Sequence, residues 1–172
     1  MKNQNELVKK YPEFFEYLKD HKGPIIPIQF GFECGDGWYW LISNLMESIH
    51  SHCKNNDKPI PEILQIKEKY GGLRFYTGGT SEYIHGMISF AEDLSYTICE
   101  SCGTIENVTT SQLPNWMITL CDTCRKNREK SRNLSYLKWR IKNIDLLLTL
   151  LSKKLKSIIK KWLVFWRKNS QE

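Results

Sequence analysis

The chain has 172 residues, of which 41% are hydrophobic and 26% charged, a composition that excludes wholesale disorder and fits one domain with an extension or two small modules. No apolar run approaches the ~18 residues of a spanning helix, and Met1-Lys2-Asn3-Gln4-Asn5-Glu6 leads into no apolar segment, which argues against a secretory signal. The net charge of +6 joins two opposed parts: residues 1–124 carry 10 Lys/Arg against 16 Asp/Glu, and residues 125–172 carry 15 against 3. The basic tail is where an anionic partner would be drawn, unless it docks on its own acidic body.

In chain order, residues 3–20 read as one or two short helices, with Leu7, Phe14, Phe15 and Leu18 on the apolar side and Pro12 beginning the second. Ile25-Ile26-Pro27-Ile28-Gln29-Phe30 favours a strand, which Pro27 limits to an edge or irregular one. Gly35-Asp36-Gly37 reads as a helix start with Asp36 as N-cap. Trp38, Leu41, Ile42, Leu45, Met46 and Ile49 follow at helical spacing. Residues 63–70 and 73–77 read as strands joined by a two-residue Gly71-Gly72 turn. Ser81 caps a third helix with Ile84, Met87, Ile88, Ala91 and Leu94 on one face. The expected fold class is α+β. Helices surround a small β-hairpin sheet over residues 1–95, a four-cysteine zinc ribbon follows over 96–125, and a long C-terminal amphipathic helix occupies 126–172.

Four of the six cysteines form Cys99-x2-Cys102 and Cys121-x2-Cys124, with 18 residues between the pairs. A two-residue gap lets one tight turn present two thiolates to one ion, and the second pair completes a tetrahedron. Gly103 suits the knuckle turn, and Ile105, Val108, Trp116, Ile118 and Leu120 suit short ribbon strands. The pattern predicts one structural Zn2+ held by Cys99, Cys102, Cys121 and Cys124. Four thiolates close the shell, so this ion serves folding rather than catalysis. Cys34, His50, His52 and Cys53 are weighed as a second metal site and read instead as a buried pair and surface groups.

A wider pattern runs through Gly31-Phe32-Glu33-Cys34-Gly35-Asp36-Gly37-Trp38, Gln65-Ile66-Lys67-Glu68-Lys69-Tyr70-Gly71-Gly72-Leu73-Arg74-Phe75-Tyr76, Ala91-Glu92 with Ser95, Cys99-Glu100-Ser101-Cys102-Gly103, and Thr119-Leu120-Cys121. It resembles a group of small zinc-ribbon proteins of bacteriophages and prophage-bearing bacteria that have no assigned function. The resemblance covers residues 30–124. It implies a phage or mobile-element setting, hence the cytoplasm of a bacterial host, and it carries no catalytic residue with it.

With Gly71-Gly72 as the turn, Tyr70 faces Leu73, Lys69 faces Arg74 and Lys67 faces Tyr76. One hairpin face then carries Lys67, Lys69, Arg74 and Tyr76. The other carries Ile66, Tyr70, Leu73 and Phe75, with Glu68 among them. Lys69 opposite Arg74 is a destabilising like-charge pair unless an anion sits there. The basic face is therefore a candidate binding site for a phosphate, a nucleotide or an acidic protein, against the plainer reading of a solvated face. Glu68 on the apolar face calls for a buried partner such as His85 or an Arg. No spaced set of Glu68, Glu33 and Asp36 identifies an enzyme class, and enzyme status stays open, with a binding role preferred.

In the tail, Leu134, Leu137, Ile141, Ile144, Leu148, Leu151, Leu155, Ile158, Trp162 and Phe165 alternate spacings of three and four, a five-heptad seam. Leu146, Leu147, Leu150, Ile159, Leu163, Val164 and Trp166 widen it, which suits a multi-helix bundle or a bilayer surface better than a two-stranded zipper. The seam from Leu134 to Phe165 predicts a homo-oligomer, with a membrane surface as the other cover. The leading functional expectation is a non-enzymatic zinc-binding interaction protein of phage or prophage origin. It would dock on a host macromolecule, inhibition of a host or defence protein being one form of this. Two alternatives stand beside it. One is a nucleic-acid-binding accessory or regulatory protein using Arg125, Lys126, Arg128 and Lys130. The other is a nucleotide-binding or small hydrolytic protein using the hairpin face.

Overall fold

A computed structural model describes residues 1, 4–20, 22–23, 27–113 and 116–169, without the side chains of 112, 113, 145–148, 150, 151 and 155–169. Two compact units divide the chain, Met1–Arg125 and Lys126–Glu172. The element order is α1 (Gln4–Lys10), α2 (Tyr39–Asn55), β1 (Glu62–Lys69), β2 (Gly72–Gly78), α3 (Glu82–Ser95), β3 (Val108–Leu113), β4 (Trp116–Cys121) and α4 (Asp122–Asn169). Two antiparallel hairpins, β1–β2 and β3–β4, are separate two-stranded sheets, so the class is α+β.

The helical periodicities find their places. Leu41, Ile42, Leu45, Met46 and Ile49 are all buried on α2, with Trp38 buried just before it, and Ile84, Ile88 and Ala91 are buried on α3. Ser81 caps α3, its hydroxyl accepting from the Ile84 N–H at 3.4 Å. Pro12 opens a 3-10 helix over Pro12–Leu18 that buries Phe14 and Phe15. Two expectations fail. Pro27–Phe30 is a 3-10 turn, not a strand, because the ring holds Pro27 in a helical φ and removes a ladder donor; Ile25 and Ile26 lie outside the described residues. Asp36 is not an N-cap: Asp36–Trp38 forms a 3-10 turn with Gly35 before it, and no side chain caps either that turn or α2.

The first hairpin also corrects its expected register. Lys67 pairs with Arg74, Glu68 with Leu73 and Lys69 with Gly72, so the two-residue turn is Tyr70-Gly71. Both have positive φ, 55° and 80°, the type I′ pattern that matches strand twist. Gly72 is a glycine for another reason: a Cβ there would overlap the Tyr96 ring. A shift of two residues leaves each face unchanged. Leu73 and Phe75 are buried, while Tyr70 stands exposed in the turn rather than on the apolar face. Glu68 accepts from the Gly71 N–H at 2.7 Å and so ties the turn locally, in place of the expected His85 or Arg partner.

A lone two-stranded hairpin is marginal in water and exposes two edges. Here both are covered. On the β1 side Glu33 bridges as a one-residue strand, its N–H donating to Ile66 O and its carbonyl accepting from Glu68 N, each at 2.9 Å. On the β2 side α3 supplies side chains. Ser95 Oγ accepts from the Leu73 N–H at 2.8 Å, and Glu92 Oε1 from the Phe75 N–H at 2.9 Å. Ser95 is fully buried, so Ser95→Ala leaves the Leu73 N–H without a partner. That loss is expected to destabilise the chain by about 1–3 kcal/mol in denaturant titration.

Candidate metal centre

The second knuckle straddles an element boundary, Cys121 ending β4 and Cys124 lying in the first turn of α4. The first knuckle is a turn closed by two 2.8 Å bonds, Cys99 N–H to Thr104 O and Gly103 N–H to Cys99 O, with Gly103 at φ 81°. Glu100 N–H donates to Thr119 O at 3.0 Å and so fastens this turn to β4. The four sulfurs converge, all within 4.8 Å of one another. Cys102 Sγ and Cys121 Sγ are 3.8 Å apart, far beyond a disulfide bond and equal to the ~3.8 Å edge of a tetrahedron with ~2.3 Å metal–sulfur bonds.

Electrostatics supports the same use. Burial acts to raise the Cys99 thiol, but N–H groups of Cys121, Cys102 and Ser101 outweigh it and bring it down to about 7. Burial, together with the neighbouring sulfurs, pushes Cys124 up to about 12. Thiolates crowded this closely repel one another, and a cation among them relieves the repulsion. The Cys124 N–H also points to Cys121 Sγ at 3.5 Å, at the positive end of α4.

The Gly-Asp-Gly-Trp segment is the seat of the first knuckle. Gly37 N–H donates to Glu100 O at 2.8 Å and Gly35 N–H to the Glu100 carboxylate at 2.9 Å. A Cβ on Gly37 would overlap Cys99 O, and one on Gly35 would overlap Glu100 O. Trp38, fully buried, donates from Nε1 to Ile98 O at 3.0 Å. The hairpin tip meets the ribbon as well: Thr119 Oγ1, fully buried, donates to Gly71 O at 2.5 Å and touches Thr110 Oγ1 at 2.6 Å. Sequence patterning finds the cysteines and misses this clasp, because its partners lie up to 65 residues apart.

Cys34, His50, His52 and Cys53 do not converge. The Cys53 thiol donates to Pro59 O at 3.4 Å, His50 faces Glu13 at 3.3 Å, and the His52 ring stacks on Tyr83 at 4.2 Å. Burial, with Glu100 nearby, pushes the Cys34 thiol up to about 12. Among the described residues the metal-competent cluster is the four-cysteine one.

Of the hairpin-face residues, Lys69 and Tyr76 are exposed and Lys67 is half-buried. Arg74 is drawn to one edge, with Nη1 2.6 Å from Leu73 O, Nη2 3.1 Å from Tyr96 Oη and an ion pair to Glu92 at 3.8 Å. Arg125 is also committed, donating to Thr109 O at 2.6 Å, Thr109 Oγ1 at 3.0 Å, Leu120 O at 3.1 Å and the Ser111 hydroxyl. It braces the ribbon hairpin and so is taken from the set expected to meet phosphates. Ile105 is exposed and outside β3, unlike Val108, Ile118 and Leu120, which line the ribbon interior. Among the described residues no helix is long and apolar enough to cross a membrane. Comparison with protein-family models, curated proteins and solved structures finds no match to this chain.

Proposed function

We propose that the chain is a zinc-binding, non-enzymatic interaction protein of phage or prophage setting that docks on a host macromolecule in the bacterial cytoplasm. The observation that carries this reading is the convergence of four cysteine sulfurs. They fill a tetrahedral shell and leave no position for a substrate or an activated water, so the zinc stabilises a fold. The residues behind the resemblance support it. Gly35, Gly37, Gly71 and Gly72 meet neighbouring groups too closely for a side chain, and Glu92 and Ser95 cap a sheet edge. These are uses in a scaffold, and they leave the hairpin and ribbon surfaces for docking. Affinity purification from a bacterial host tests the reading. Wild type should retain a macromolecule in stoichiometric amount, and Lys67→Glu with Lys69→Glu should lose it at unchanged zinc content. Recovery of the zinc-loaded wild-type chain alone overturns it.

Oligomerisation through the tail belongs to the same proposal. Leu134, Leu137, Ile141 and Ile144, the first four seam positions, are 50–60% exposed within the unit Lys126–Glu172; the side chains of the remaining seam positions lie outside the described residues. An apolar stripe of this kind exceeds what soluble monomers ordinarily present to water, and sister chains supply the matching cover. Light scattering should give a mass at least twice 20.3 kDa, and Leu137→Asp with Ile141→Asp should return it to that of one chain. A monodisperse wild-type monomer rejects the oligomer and directs attention to liposome binding.

A further inference from the structure

The face of β1–β2 turned from the core carries a row of side chains: Tyr76 opposite Gln65, then Lys67, then Lys69, with Tyr70 at the turn. Lys67 Nζ lies 5.4 Å from the Tyr76 ring centre, and Lys69 Nζ 5.3 Å from that of Tyr70. Each ammonium rests against a ring that stays open, Tyr70 at 65% and Tyr76 at 40% exposure. Among the described residues no carboxylate comes within 4.0 Å of either lysine. Arg74 stands across from Lys67, and its charge is drawn aside by Glu92. From Gln65 to Lys69 the row spans about 13 Å at ~3.3 Å per residue. Its order is ring, cation, cation, ring.

We infer that this row binds single-stranded nucleic acid, with bases stacked on Tyr70 and Tyr76 and phosphates on Lys67 and Lys69. The inference rests on the binding-protein reading and names its partner. Open rings interleaved with cations are what a single strand uses, since every base presents a π-face. An acidic peptide would engage the ammonium groups and leave both rings idle. A duplex would offer phosphates but keep its bases stacked on one another. Lysines act as point charges without the planar fork of arginine, so the row tracks a backbone and tolerates sequence. Glu33 marks one limit of the track. It bridges to Lys67 on β1, and its carboxylate accepts from Gln65 Nε2 at 2.8 Å, so negative charge lies beside the Tyr76 end.

Fluorescence anisotropy of the zinc-loaded full chain with a labelled oligothymidylate of about 12 nucleotides tests the inference. The basic tail contributes equally to every variant, so the differences between variants report on the hairpin. Tyr70→Ala and Tyr76→Ala should each weaken binding about tenfold, and Phe at either position should restore it. Lys67→Gln with Lys69→Gln should flatten the log–log salt slope by about 1.4, at ~0.7 per phosphate. Glu33→Gln should tighten binding. The Phe and Gln variants keep size and shape, so they decide the matter where an Ala variant unfolds. Unchanged affinity and slope across the lysine and tyrosine variants would assign all binding to the tail and overturn the inference. Binding of polyglutamate that depends on both lysines, with no loss of oligothymidylate binding in the tyrosine variants, would identify an acidic protein as partner. That outcome sinks the inference and leaves the binding-protein reading standing.

Discussion

The purified chain is expected to hold one zinc ion per molecule, and Cys99→Ser or Cys121→Ser to lose it together with the fold of residues 96–125. The ribbon interior contains Ile118 and Leu120 as fully enclosed aliphatic side chains, with Val108 partly enclosed. Full burial of such a side chain contributes about 1.5–3 kcal/mol, whereas ordering one residue's backbone costs about 1–2 kcal/mol. A segment of this length cannot hold its shape on that core. Structural zinc supplies apparent binding free energy of about 10–16 kcal/mol, enough to reverse the balance. Cys99 and Cys121 are the buried members of the set, so each substitution also places an unliganded hydroxyl in the interior. Elemental analysis and thermal melts in the presence of chelator are the measurements. Iron in place of zinc, or no metal with an intact melt, refutes the expectation.

Two glycine substitutions should move stability in opposite directions. Gly37→Ala drives a methyl group into backbone, overlapping Cys99 O and approaching Gly103 N to 2.6 Å. Backbone cannot swing aside as a flexible side chain does, so the knuckle and the start of α2 must separate. A loss of about 3 kcal/mol or more is expected, with faster zinc transfer to a chelator because the knuckle loses its seat. Gly86, inside α3, has nothing within 4 Å of the site a Cβ would occupy. Gly86→Ala should therefore stabilise by about 1 kcal/mol, from helix propensity alone. Thermal melts of both variants, with zinc release followed by a colorimetric chelator, check the pair. Equal effects of the two substitutions would show that the contact between Gly37 and the knuckle contributes nothing.

How much of this could be read from residue order depends on the range of the rule. The four cysteines were legible because a C-x2-C knuckle is local, and two knuckles have one economical way to combine. The buried faces of α2 and α3 were legible because a 3.6-residue period needs no knowledge of what covers it, and Ser81 because a cap acts within one turn. The hairpin was legible in its existence and in its two faces, but not in its turn. Gly71 and Gly72 both look like turn residues, yet Gly71 supplies a positive φ and Gly72 supplies room for the Tyr96 ring. Local patterning cannot tell a glycine needed for its backbone angle from one needed for its missing side chain. Asp36 misleads for the same reason: Gly35 and Gly37 flank it to meet Glu100 and Cys99, not to expose a capping carboxylate. Ser95, Glu92 and Arg125 have ordinary helical surroundings in the sequence, and their partners lie 22, 17 and up to 16 residues away. The residue order by itself thus determined which long segments are helical and which four sulfurs can come together around a metal ion, since those properties are set within a few residues. Only the tertiary structure decided which glycines, hydroxyls and charges hold the ribbon to the body, because close approach and buried hydrogen-bond partners come into being when distant segments pack.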